Sequence, residues 1–189
     1  MEQRPTNMCE YGRIVASLCP GLLREHPAKV FVETGTGWGG GILVALCTGM
    51  YREIHSIEAE SPCHDAAKEL FTGNPAVKLT FGTSAEELGK ILEGVHERAL
   101  IWLDAHSPDA RNPLFDELEA VAAHSVKDHC VMVDDRRMWG SRWGCWRDVN
   151  QATVVAAVKA INPAYEISWA DSWNAPQDIL VADVPGRGK

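Results

Sequence analysis

Between residues 30 and 41 the chain reads VFVETGTGWGGG, and this stretch limits the available folds more than any other. Val30, Phe31 and Val32 are β-branched or aromatic residues that suit a buried strand. Glu33 follows, and five glycines then fall among the seven residues from Gly35 to Gly41. The apolar run over 42–46 reads as helix. A strand that turns through glycines into a helix is a cradle for a small molecule. The glycines admit a ligand close to the backbone, and the helix N-terminus directs N–H groups towards it.

The same alternation continues along the chain. Strands are predicted over 30–33, 53–58, 77–81, 99–103 and 130–133. Helices are predicted over 38–50, 61–71, 85–93, 113–123 and 149–161. Ser61 is expected to cap one helix with Pro62 in its first turn, and Ser84 to cap the next with Glu87 completing a capping box. An earlier helix over 10–25 is expected to break or kink at Pro20-Gly21. A final strand pair, 165–169 and 179–184, has no long helix between its members. Repeated strand–helix units imply a parallel sheet with helices on both faces. The 189 residues carry no linker signal and read as a single domain over 1–189, with loose tails at 1–7 and 185–189.

Charge and cysteine content narrow the partners. A formal net charge of -8 argues against nucleic acid or an anionic membrane as the main partner. No apolar run approaches the roughly 20 residues of a membrane span. The six cysteines form no C-x-x-C pair, and Cys47 and Cys130 sit in apolar runs as core candidates. A reduced, cytoplasmic setting is the expectation.

In such sheets ligands bind beyond the carboxyl ends of the strands. Here those ends carry Glu33, Glu58, Ser84, Asp104 and the pair Asp134-Asp135. Acids ending four of the five strands make a polar rim where a site is expected. Gly35, Gly37 and Gly40 also satisfy G-x-G-x-x-G, with Glu58 placed as a ribose-binding acid. That spacing alone permits a NAD-binding oxidoreductase. The chain is short for one, since such enzymes usually carry a second substrate domain.

Taken in order, these segments resemble the class I S-adenosylmethionine-dependent methyltransferases. VETGTGWGG resembles that family's first motif, IHSIEAE its second, and FGTSAEEL its adenine-contacting segment. The resemblance implies a Rossmann-like methyltransferase fold: a doubly wound, mostly parallel seven-stranded sheet whose last strand is antiparallel. It implies S-adenosylmethionine held by Glu33, Thr34, Gly35, Thr36, Gly37, Glu58, Thr83, Ser84 and Asp104. Trp38 reads as a packing residue that could also line the cofactor pocket.

IWLDAHS and VMVDDRR further resemble the metal-dependent O-methyltransferases of the macrocin type. That likeness implies Mg²⁺ on Asp104, Asp134 and Asp135, whose hard oxygens suit it. Those enzymes tend to carry D-x-D after the fourth strand, whereas this chain has Asp104-Ala105-His106. His106 or Asp104 is then the candidate general base in a methyl transfer to a hydroxyl of a small-molecule acceptor. The plainer alternative has Asp134 capping a turn, Asp135 paired with Arg136 or Arg137, and His106 an ordinary loop residue.

The following loop, RRMWGSRWGCW, offers Arg136, Arg137, Trp139 and Trp143 as acceptor contacts or a lid. Equally, its tryptophans could pack on the core. Without a separate acceptor domain, the pocket is either shallow or completed by a second copy in a homo-oligomer. A non-catalytic protein that keeps the cofactor cradle is the remaining alternative.

Overall fold

The computed structural model describes residues 17–106, 111–142 and 144–186. Its strands are β1 (Val30–Thr34), β2 (Glu53–Glu58), β3 (Val77–Phe81), β4 (Ala99–Leu103), β5 (Cys130–Val133), β6 (Glu166–Ala170) and β7 (Ile179–Asp183). Its helices are α1 (Pro20–Glu25), α2 (Gly40–Thr48), α3 (Ser61–Leu70), α4 (Ser84–Glu93), α5 (Leu114–Ala123) and α6 (Gln151–Ile161). Two short 3-10 turns, Arg136–Met138 and Gly144–Trp146, connect β5 to α6.

The strands form one sheet in the order β3-β2-β1-β4-β5-β7-β6. β1 to β5 run parallel, and β7 is antiparallel to both β5 and β6. This departs from the all-parallel 3-2-1-4-5-6 order of a dinucleotide-binding sheet. β1, β4 and β5 are buried along their whole length, as expected of parallel strands covered on both sides.

Side-chain alternation divides the core in two. Val30, Val32, Ile101, Leu103, Val131 and Val133 face α4, α5 and α6 with Leu88, Leu118 and Val158. Phe31, Leu100, Trp102 and Met132 face the other way, against Leu23, Ile42 and Ala67 of α1, α2 and α3. At the N-terminal end of β5, His129 is fully buried. Its Nδ1 accepts the Ala99 N–H at 3.0 Å and its Nε2 lies 2.8 Å from His124 Nδ1. Burial pushes the His129 pKa down to about 4.

Several local expectations shift. Pro20 opens α1 instead of interrupting a helix, since its missing N–H costs nothing in a first turn; residues 10–16 of the expected helix lie outside the described residues. Glu60, not Ser61, is the N-cap of α3, and Ser61 Oγ turns to Asp65 Oδ2 at 3.3 Å. The cap of α4 also moves back one residue, to Thr83, whose hydroxyl donates to Glu86 Oε2 at 2.9 Å. Cys47 is exposed on α2, while Cys130 is buried. Of the expected tails, 1–7 and 187–189 lie outside the described residues. Among the described residues, no helix is long and apolar enough to cross a membrane.

Candidate active site

The carboxyl ends of β1, β2 and β4 open onto a cavity of about 730 Å³. Glu33, Gly35, Thr36, Gly37, Glu58, Thr83, Ser84, Asp104 and His106 all line it. Its volume lies within the range of roughly 300–1,000 Å³ typical of small-molecule sites.

The glycine turn is shaped by its neighbours. Gly35 has φ +80°, and a Cβ there would lie 2.8 Å from the Asp104 carbonyl oxygen. Only glycine lets β1 leave the sheet this close to the end of β4. Glu58 accepts the Gly37 N–H at 2.7 Å and the Glu60 N–H at 2.7 Å, so the end of β2 holds the turn in place. Glu33 is buried beneath it and accepts the Ser56 hydroxyl at 2.6 Å. Thr36 Oγ1 lies 2.5 Å from the same Ser56 oxygen. Burial lifts the Glu33 pKa to about 8 against the pull of that hydroxyl. The cavity floor therefore carries a carboxyl that a cationic ligand group would ionise.

Two residues expected at the cofactor lie elsewhere. Thr34 is fully buried, and its hydroxyl accepts the Asp104 N–H at 3.2 Å instead of facing the cavity. Strand alternation turns it away, since Glu33 and Gly35 already face the opening. Trp38 is 54% exposed and neither packs in the core nor lines the cavity. Trp102 instead takes both places: it is buried, lines the cavity and hydrogen-bonds Asp104 through its indole N–H.

The acids beyond β4 and β5 gather in two clusters. Asp104, His106 and Asp135 each place one ligand atom within 4.8 Å of the others. Asp134, Asp135 and Asp178 form a second cluster on the same criterion. The expected set of Asp104, Asp134 and Asp135 is thus divided between clusters that share Asp135. Asp135, the shared member, adopts a left-handed conformation, φ 61°, at the start of the 3-10 turn.

Protein cations already reach Asp135. Arg137 Nη2 lies 2.6 Å from its Oδ1 and His106 Nε2 lies 3.2 Å from its Oδ2. Arg137 also pairs with the buried Asp178, which accepts the Ser172 hydroxyl at 2.6 Å. Asp104 keeps part of its surface open to the cavity, yet protein surrounds its carboxyl. Burial raises its pKa well above the usual range, and repulsion from Asp134, Asp135 and Glu33 adds to that. Burial likewise lifts Asp134 to about 6, and its Oδ1 has no partner. The hydrogen bond to Asp135 raises the pKa of His106. Its ring also packs on Trp146, with centroids 5.5 Å apart.

An excess of buried acid beside an orphaned carboxylate oxygen suits an added cation. Its donors would come from the Asp104–His106–Asp135 cluster, with imidazole in place of one expected carboxylate.

None of the described residues of the loop after β5 lines the cavity. Trp139 packs against the core and meets Trp169 edge-on at 6.1 Å. Arg136 stacks on Trp169 at 4.5 Å and bonds Gln151 and the Gln177 carbonyl. Trp139 therefore packs as the alternative had it, Arg136 braces Trp169, and Arg137 serves the acid clusters. Trp143 lies outside the described residues. Arg111 and Asp116, unremarked in the sequence, line the cavity mouth as an ion pair. Arg111 lies in a stretch without periodicity, so nothing in the sequence pointed to it.

No protein-family model and no curated protein sequence matches this chain. Solved structures do. The O-methyltransferase from Bacillus cereus in complex with S-adenosylhomocysteine (SAH) is 15% identical with a TM-score of 0.62, covering 97% of this chain and 93% of its own. The SAH-bound methyltransferase PaMTH1 of Podospora anserina is 14% identical with a TM-score of 0.63, covering 96% and 88%. Human methyltransferase-like protein 13 in complex with SAH is 18% identical with a TM-score of 0.58, covering 96% and 82%. What this chain shares with them is the fold: a seven-stranded methyltransferase sheet with its reversed strand beside β5.

Proposed function

We propose that this protein is an S-adenosylmethionine-dependent methyltransferase that acts on a hydroxyl of a small molecule. One observation carries the reading: the glycine turn, Glu33, Glu58 and Ser84 share a single cavity with Asp104 and His106, two members of the Asp104–His106–Asp135 cluster. A nucleoside cradle and a proton-handling group thus open onto the same space. The SAH-bound state of the similar structures supports this choice of cofactor over NAD.

S-adenosylmethionine supplies a sulfonium-activated methyl group. Glu33 would receive the cationic amino-acid end and Glu58 the ribose hydroxyls, while Thr83 and Ser84 border the base. Asp135 orients the His106 ring from one side and Trp146 supports it from another, leaving His106 to accept the acceptor's proton. In the metal-assisted form of the reaction, a divalent cation such as Mg²⁺ held by Asp104, Asp135 and His106 would acidify the acceptor hydroxyl, and His106 would then serve as its ligand in place of the base. A cavity of about 730 Å³ favours a small acceptor, and the net charge of -8 argues against nucleic acid.

Calorimetry with SAH and with NAD tests the cofactor, with SAH binding and NAD silent as the expected result. Methyl transfer from labelled S-adenosylmethionine to a panel of hydroxylated acceptors, with and without EDTA, tests the rest. Turnover abolished by EDTA and restored by Mg²⁺ supports the cation. Turnover indifferent to EDTA removes it and leaves the proton to the His106–Asp135 pair alone.

A further inference from the structure

One buried acid is used by none of this chemistry. Glu117 lies in the first turn of α5 and is 1% exposed. An acid placed there only for the helix dipole would face solvent. Its neighbour Asp116 does reach the surface, where it pairs with Arg111. Glu117 instead turns inward, and burial raises its pKa to about 7. The Ser84 and Thr34 hydroxyls hydrogen-bond its carboxyl, while its Oε1 has no partner. A carboxyl held this way costs the fold stability, and an apolar side chain of similar size would fit the surrounding Leu114, Leu118 and Val121 with less penalty.

What the carboxyl joins gives the reason for it. Ser84 forms the cavity wall at the start of α4. Thr34, at the end of β1, accepts the Asp104 N–H through the hydroxyl that meets Glu117. One side chain therefore ties the base side of the cavity to the strand end that carries Asp104. We propose that Glu117 is a positioning residue, which sets the spacing between the Ser84 wall and the Asp104 strand end and so keeps the cavity shaped for the cofactor. This rests on the reading of the cavity as an S-adenosylmethionine site and adds a residue to it.

The test compares Glu117→Met, Glu117→Gln and Ser84→Ala with the wild type, measuring SAH affinity by calorimetry and Tm in the absence of ligand. Glu117→Met is expected to keep or raise Tm and to weaken SAH binding roughly tenfold, about one charged hydrogen bond's worth. Glu117→Gln, which can still accept a hydroxyl, is expected to restore most of the affinity. Combining Glu117→Met with Ser84→Ala is expected to cost less than the two single losses together, because both cut the same link. Wild-type affinity in Glu117→Met, or losses that simply add, would overturn the positioning role while leaving the cofactor site standing. Affinity and Tm falling together in both Glu117 variants would also overturn it, in favour of a plain packing role. Failure of the wild type to bind SAH would overturn both readings. If Glu117→Met does not fold, Thr34→Val cuts the other half of the link and is expected to show the same loss of affinity.

Discussion

Gly41 shows how one residue is dictated by another. Its own backbone makes no unusual demand, yet a Cβ there would drive into the Glu33 carboxylate. Gly41→Ala is expected to cost about 1–3 kcal/mol of stability by overpacking and to abolish SAH binding, read by thermal melting and calorimetry. His106 offers a second test at this scale. Its pKa is raised chiefly by the hydrogen bond it donates to Asp135, so its free-base form is lost at a higher pH than for an ordinary histidine. A rate that needs the free base rises as pH climbs through that raised value. Asp135→Asn removes the cause, so the acidic limb of the pH–rate profile is expected to move to lower pH. An unmoved limb would assign the proton to another group.

At the scale of elements, the sequence was most informative where a period exists. The predicted bounds of β2, β3, β4 and β5 coincide with those observed, because short apolar runs between turn residues leave few registers open. The carboxylate rim was legible for the same reason, since it follows from where strands stop. The loop after β5 was not, because the burial of Trp139 depends on Trp169, thirty residues further on. The two acid clusters share one left-handed residue, Asp135, whose conformation no periodic pattern announces. Glu117 was hidden because an acid in the first turn of a helix is ordinary there. The loop yields a prediction of its own. Trp139→Ala is expected to cost about 2–3 kcal/mol in denaturant unfolding, through lost packing, while SAH affinity stays at the wild-type value. A change in affinity with no loss of stability would return this loop to the acceptor site.

For the whole molecule, buried titratable groups set how stability varies with pH. Glu33 and Glu117 have folded pKa values of about 8 and 7, above the ordinary 4.5. The folded state therefore holds protons that the unfolded chain has lost, and stability falls as pH rises from about 4.5 through 8. His129 acts from the other side. Its pKa of about 4 lies below the ordinary 6.5, so its contribution is intact above 6.5 and is lost as pH falls towards 4. The two windows overlap, and in the overlap the two acids outweigh the single histidine, so ligand-free protein is expected to melt highest near pH 4.5, with Glu117→Gln flattening the alkaline decline. A Tm that climbs steadily to pH 9 would contradict the burial of both acids. The strand order carries one more consequence, for how the chain assembles. β6 is made before β7 but touches the sheet only through it, so it has nowhere to dock until its successor arrives. Until then the flank of β5 stays bare, with Met132 and Val133 open to any other extended chain nearby. Interrupted synthesis or slow refolding should therefore expose a sticky margin at this one place, and a peptide copying residues 179–183 should bind there.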